Sequence, residues 1–180
     1  MSDQQSFINL FKKRLNEEFL SIEKNANLSA DEKANKVIWT TSALCAGIAI
    51  QPIPFADMPI LTSLQIYMGY KLGKIRGYDV SEQGMWEILK HIGGVVGIGF
   101  AAQQTVIGLY KLGLPFLGGL MTIPLVGGLT YGIGKAMDLY VNMRAQGKTP
   151  TDEDIKKAFQ LGKELGKSVK PMKIERKDDP

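Results

Sequence analysis

Residues 37–56, 91–110 and 112–134 contain no Asp, Glu, Lys or Arg, whereas residues 1–36 and 144–180 carry most of the charge. A chain segregated in this way must bury its middle and solvate its ends. Apolar runs of this length fit the interior of a helical protein or the hydrocarbon core of a bilayer. About 20 residues are needed to cross a core of about 30 Å. The runs His91 to Tyr110 and Leu112 to Gly134 reach that length. With Lys111 to Pro115 as the turn they form a candidate membrane hairpin over residues 91–137. Pro52, Pro54 and Pro59 instead divide residues 37–74 into two helices of about 14 residues, each about 21 Å long at about 1.5 Å per residue. Those two read as buried or re-entrant.

Helix signals punctuate the rest. Phe7, Leu10, Phe11, Leu15, Phe19 and Ile22 recur at helical spacing with charges between them, which predicts an amphipathic helix over residues 4–24. Ser29 followed by Glu32 is a capping box that starts a helix over 30–50. Asp57 with Pro59 starts a third, to Lys74, because Asp caps free amides and proline is tolerated in a first turn. Ser81 caps a fourth, running towards Tyr110. Gly113 and Pro115 interrupt the chain before a fifth, to Arg144, with a kink expected at Pro124. Thr151 with Asp152, Glu153 and Asp154 starts a sixth, with Ile155, Ala158, Phe159, Gly162 and Leu165 as its apolar stripe. The charged end from Lys167 to Pro180 is expected to be disordered. Sustained period-two alternation is absent, so the fold class is all-α: a compact bundle of five to six helices with a glycine-rich apolar hairpin. The division is an N-terminal amphipathic helix (1–28), a glycine-rich core (29–146) and a C-terminal helix with a charged tail (147–180).

Twenty glycines in a helical chain require a reason, since each costs about 1 kcal/mol relative to alanine inside a helix. Close backbone approach supplies it. Gly69, Gly73 and Gly77 repeat every four residues, as do Gly93, Gly97 and Ala101, and Gly128 and Gly132. Such small-xxx-small ridges suit helices packed in membranes or oligomers, and soluble bundles use them too. Trp39, Trp86, Tyr110, Tyr131 and Tyr140 lie near segment edges, where interfacial anchoring and ordinary packing are both open.

Reactive chemistry is sparse. Gly147, Lys148 and Thr149 end a Walker-like string, but Asn142 stands where its first glycine belongs; Gly166, Lys167 and Ser168 fail likewise at Leu161. His91 is the only histidine and Cys45 the only cysteine, which rules out a multi-histidine metal site and an intrachain disulfide. Asp57 reads as a helix cap or as a buried acid facing Gln65. The net charge of +4 is scattered among acids rather than gathered into a stripe with aromatics, so nucleic acid is not an expected partner. No cofactor, metal or catalytic residue is expected. The N-terminus carries no secretory signal pattern, and a mean hydropathy of −0.05 is too low for an ordinary polytopic transporter.

The stretch QPIPFADMPILTSLQIYM, with Pro52, Pro54, Asp57, Pro59 and Gln65, resembles the bacterial domain of unknown function 697, and the similarity extends over residues 33–146. That family is all-helical, membrane-predicted and often fused to or associated with Era-like GTPases. The resemblance implies membrane association, at the bacterial inner membrane or its cytoplasmic face, and a possible GTPase partner. The leading expectation is a non-enzymatic, membrane-associated scaffold that self-assembles as a homo-oligomer through its glycine faces and contacts lipid. The alternative is a soluble, cytoplasmic adaptor for a partner such as an Era-like GTPase.

Overall fold

The computed structural model describes residues 3–49, 58–97 and 117–172, with side chains from Ile8, Pro59 and Ile123 onward in each segment. Six helices form among them: α1 (Asp3–Lys24), α2 (Ala30–Ala49), α3 (Met58–Arg76), α4 (Glu82–Val95), α5 (Leu117–Ala145) and α6 (Asp152–Gly166). The described residues contain no strand.

The helix starts follow the capping chemistry. The Ser29 amide donates to Glu32 Oε2 at 2.8 Å and the Glu32 amide to Ser29 Oγ at 3.3 Å. Thr151 and Asp154 form the same reciprocal box before α6. Ser81 Oγ accepts from the Gly84 amide at 3.0 Å. In both boxes hydrogen bonds from the capping residue hold the acid below its ordinary carboxylate range, from the Ser29 backbone for Glu32 and from the Thr151 side chain for Asp154. A depressed acid stabilises the fold above its unfolded pKa and loses that contribution as pH falls through the folded value. The two exposed caps are therefore expected to fray first on acidification, which amide exchange at Lys33 and Ile155 would register. At the other end of α5, Gly147 turns the chain at φ 72°, and the Lys148 amide closes on the Met143 carbonyl at 2.9 Å. α5 continues through Pro124 as one helix.

One core joins all six helices. Phe11, Leu15 and Phe19 of α1, Ile38 and Leu44 of α2, Leu64 and Met68 of α3, Met85 of α4, Met137 of α5 and Phe159 of α6 all belong to it. Burial of side chains this large contributes roughly 1.5–3 kcal/mol each. The α1 stripe is narrower than its spacing suggested: Ile8 is inside, while Leu10 is 59% exposed. The beginning of the charged end is ordered against the bundle, contrary to expectation, because it carries its own anchors. Val169 is buried, and the Met172 amide donates to the Ala43 carbonyl at 2.8 Å.

α5 lies at the centre, against α2, α3, α4 and α6. Every residue from Val126 to Gly134 is buried by protein, which leaves that stretch of the expected hairpin without a lipid-facing side. Residues 98–116, which would complete the hairpin, lie outside the described residues. Among the described residues no helix is long and apolar enough to cross a membrane.

Candidate functional site

The glycines show most directly how the sequence is used. α5 and α6 meet along a seam of glycines that lets the two backbones approach closely. A Cβ on Gly128 would lie 2.9 Å from the Lys163 carbonyl oxygen, and one on Gly132 would lie 2.8 Å from that of Phe159. From the other side, a Cβ on Gly162 would come within 2.9 Å of the Gly132 Cα. Gly166 is the tightest point, pressed on the Tyr131 Cβ, the Gly127 carbonyl and the Gly128 Cα. Gly69 makes room for Met85 and Met137, and Gly73 for the Tyr78 carbonyl. These four expected assembly positions, Gly69, Gly73, Gly128 and Gly132, thus face partners within the chain. Gly93 has no neighbour of this kind among the described residues, and Gly97, at φ 94°, follows the end of α4 instead of continuing its ridge.

Of the proline-turn residues, Pro52, Pro54 and Asp57 lie outside the described residues. Pro59 is exposed in the first turn of α3, its carbonyl accepting from Ser63 Oγ at 2.8 Å. Gln65 is buried and donates through Nε2 to Thr130 Oγ1 on α5 at 3.4 Å. Thr130 is thus a polar partner that helical spacing within α3 did not disclose. His91 is exposed, its ring edge-on to Tyr140 at 6.2 Å. Cys45 is buried. Among the described residues no three His, Cys, Asp or Glu side chains gather as a metal site.

Two polar clusters tie distant helices together. Arg76, at the end of α3, donates from Nε and Nη2 to the two carboxylate oxygens of Asp138 on α5, each at 2.7 Å, and from Nη1 to Asp31 on α2 at 2.6 Å. The first pair is almost fully enclosed, with side chains 10% and 11% exposed. Between α1 and α3, the buried Lys71 ammonium lies 3.0 Å from Glu23 and 5.7 Å from the Tyr67 ring centre. Tyr67 donates to Asn16 at 2.7 Å. Burial, then the Glu23 and Glu82 charges, pushes the Tyr67 phenol from 10.0 up to about 12. The unfolded chain ionises this phenol first, so its contribution is complete below pH 10 and is lost as pH rises through about 12. Tyr67→Phe is expected to flatten that part of the alkaline stability profile, read from urea midpoints of the two proteins.

The exposed surface has a more specific shape. A cleft of about 510 Å³ opens between α1, α2 and α5, lined by Glu18, Ile22, Lys36, Trp39 and Tyr131 among others. Trp39 is 44% exposed and stands edge-on to Tyr131 at 6.1 Å. On α6, Leu161 and Leu165 are 61% and 49% exposed. Leu165 had been expected inside; the glycines occupy that side.

This architecture of glycine-packed helices can be compared with known proteins. Over residues 13–164 the sequence matches the family described as Domain of unknown function (DUF697). The chain belongs to DUF697. The match begins within α1 and ends within α6, so the DUF697 unit includes most of the two helices that lay outside the 33–146 resemblance. This agrees with the shared core. The chain is also similar to magnetosome membrane protein 22 of Magnetospirillum gryphiswaldense, at 30% identity over 159 residues, covering 82% of this chain and 79% of that protein. No solved structure matches this DUF697 chain.

Proposed function

We propose that this DUF697 chain is a non-enzymatic, membrane-associated helical scaffold that self-assembles at the bacterial inner membrane or its cytoplasmic face. The observation that carries membrane association is the similarity, over four fifths of the chain, to a protein named as a magnetosome membrane protein. The scaffold part draws on what the bundle leaves exposed, the large apolar side chains of Leu10, Trp39, Leu161 and Leu165, since Gly69, Gly73, Gly128 and Gly132 are taken up by contacts within the chain. A lone His on the surface and a lone buried Cys offer little material for nucleophilic or acid–base chemistry.

Association of this kind, without a spanning helix among the described residues, rests on surface contacts, lipid or residues outside those described. Fractionation of cells that express the full chain tests the proposal. The protein is expected in the membrane pellet after high-speed sedimentation, and in complexes larger than one chain when released by mild detergent. Recovery in the supernatant as a single chain would contradict it.

A further inference from the structure

The C-terminal half of α6 reverses the usual arrangement of an amphipathic helix. Gly162 and Gly166 are buried, while the bulky Leu161 and Leu165 stand in solvent. The cause is the backbone-distance seam with α5, which has no space for leucines. Two leucines one turn apart form a ridge. The Trp39 cleft adjoins it: the Tyr131 side chain lines the cleft, while its Cβ abuts Gly166, the residue after Leu165.

We propose that this face is a self-association surface, in which the Leu161/Leu165 ridge of one copy seats in the Trp39/Tyr131 cleft of a second, and the reverse, about a two-fold axis. The inference rests on the scaffold reading and names the surface that performs it. A two-fold interface uses the same patch on both subunits and so requires ridge and hollow on one face. The continuity through Tyr131 provides that. The charges suit a second copy as well. The cleft carries Glu18 and Lys36, and the ridge is flanked by Lys157 and Glu164. Lys157 and Glu164 are already paired along α6, with Glu153 and Lys167, so both halves of the face are of mixed sign and neither repels a second copy of itself. An anionic bilayer would instead favour a basic rim. The lysines that would supply one, Lys163 and Lys167, lie on the side of α6 that faces Gly128.

Sedimentation equilibrium of the full chain tests the assignment. The wild type is expected to sediment at twice its 19.8 kDa mass. A Leu161→Ser, Leu165→Ser double variant and, separately, Trp39→Ala should each weaken the dimer on the order of 100-fold, with helix content retained. A second readout does not depend on lost affinity: a Leu165→Cys chain mixed with a Trp39→Cys chain should form a disulfide between the two under mild oxidation. An oligomer indifferent to both substitutions and without this cross-link would overturn the face while leaving the scaffold reading intact. A wild-type chain that stays monomeric, both free and bound to vesicles, would overturn both. If the variants lose vesicle binding and keep their mass, the surface belongs to lipid and the proposal fails.

Discussion

Gly166→Ala is expected to destabilise the protein by about 3 kcal/mol, seen as a lower urea midpoint. The added methyl would meet the Tyr131 Cβ, the Gly127 carbonyl oxygen at 2.7 Å and the Gly128 Cα at 2.9 Å. These atoms are backbone or one bond from it, and none can swing aside as a long side chain would. The last turn of α6, which ends at Gly166, must therefore move off α5, which loosens the close approach at Gly162 and the buried Val169 that follows. The same substitution at Gly93 makes the contrast. A methyl there meets nothing within 4 Å among the described residues, and alanine is the better helix former by about 1 kcal/mol. Gly93→Ala is expected to be neutral or stabilising. Equal losses at the two positions would show that glycine acts here through something other than close approach.

Loss of Arg76 should be at least as damaging, by about 3–5 kcal/mol, because Asp138 is then left enclosed without its counterion; loss of Asp138 should cost less, since Arg76 keeps Asp31 at 2.6 Å. Hydrogen bonds to Asp138 raise the Arg76 pKa against the opposing cost of burial, and the guanidinium stays charged even without that partner because arginine is not deprotonated in proteins. Asp31 holds the same guanidinium with a side chain 79% exposed. Asp31→Ala should accordingly cost less than about 1 kcal/mol. Arg76→Lys retains the charge and cannot reproduce the two-pronged geometry, so it should recover only part of the loss. Urea unfolding of Arg76→Ala, Asp138→Ala and the double variant measures the coupling directly. The double variant should lose much less than the sum of the single variants. Additive losses would mean that the pair is a contact without consequence.

Much of the fold was legible because its signals are local. Capping at Ser29, Ser81 and Thr151, and the break at Gly147, acts within a few residues. The helices accordingly begin and end within about two residues of their expected positions, with one exception: α4, expected to run towards Tyr110, stops at Val95, where Gly97 follows at φ 94°. What a four-residue glycine repeat lacks is an address. Gly128 and Gly132 announce close approach, yet nothing in their spacing distinguishes a neighbouring copy from α6. The complementary spacing of Gly162 and Gly166 was the available signal, obscured because Leu165 fitted the apolar stripe and drew that face inward. Similarly, 62 residues separate Arg76 from Asp138, and each sits in a helix where a charged residue is unremarkable. Gln65 was read against Asp57, its neighbour in sequence, while its buried partner Thr130 comes from α5. The second half of the expected hairpin followed the same logic: a long uncharged run shows that it will be buried, and other helices of the bundle bury residues 126–134 of it.

Flotation of the purified full chain with protein-free vesicles of phosphatidylethanolamine and phosphatidylglycerol tests the central claim most directly, because no other protein is present to recruit it. Membrane association intrinsic to the chain predicts that it rises with the vesicles through a density gradient, with its helix content unchanged. A folded chain that remains at the bottom of the gradient at every lipid concentration would contradict that claim.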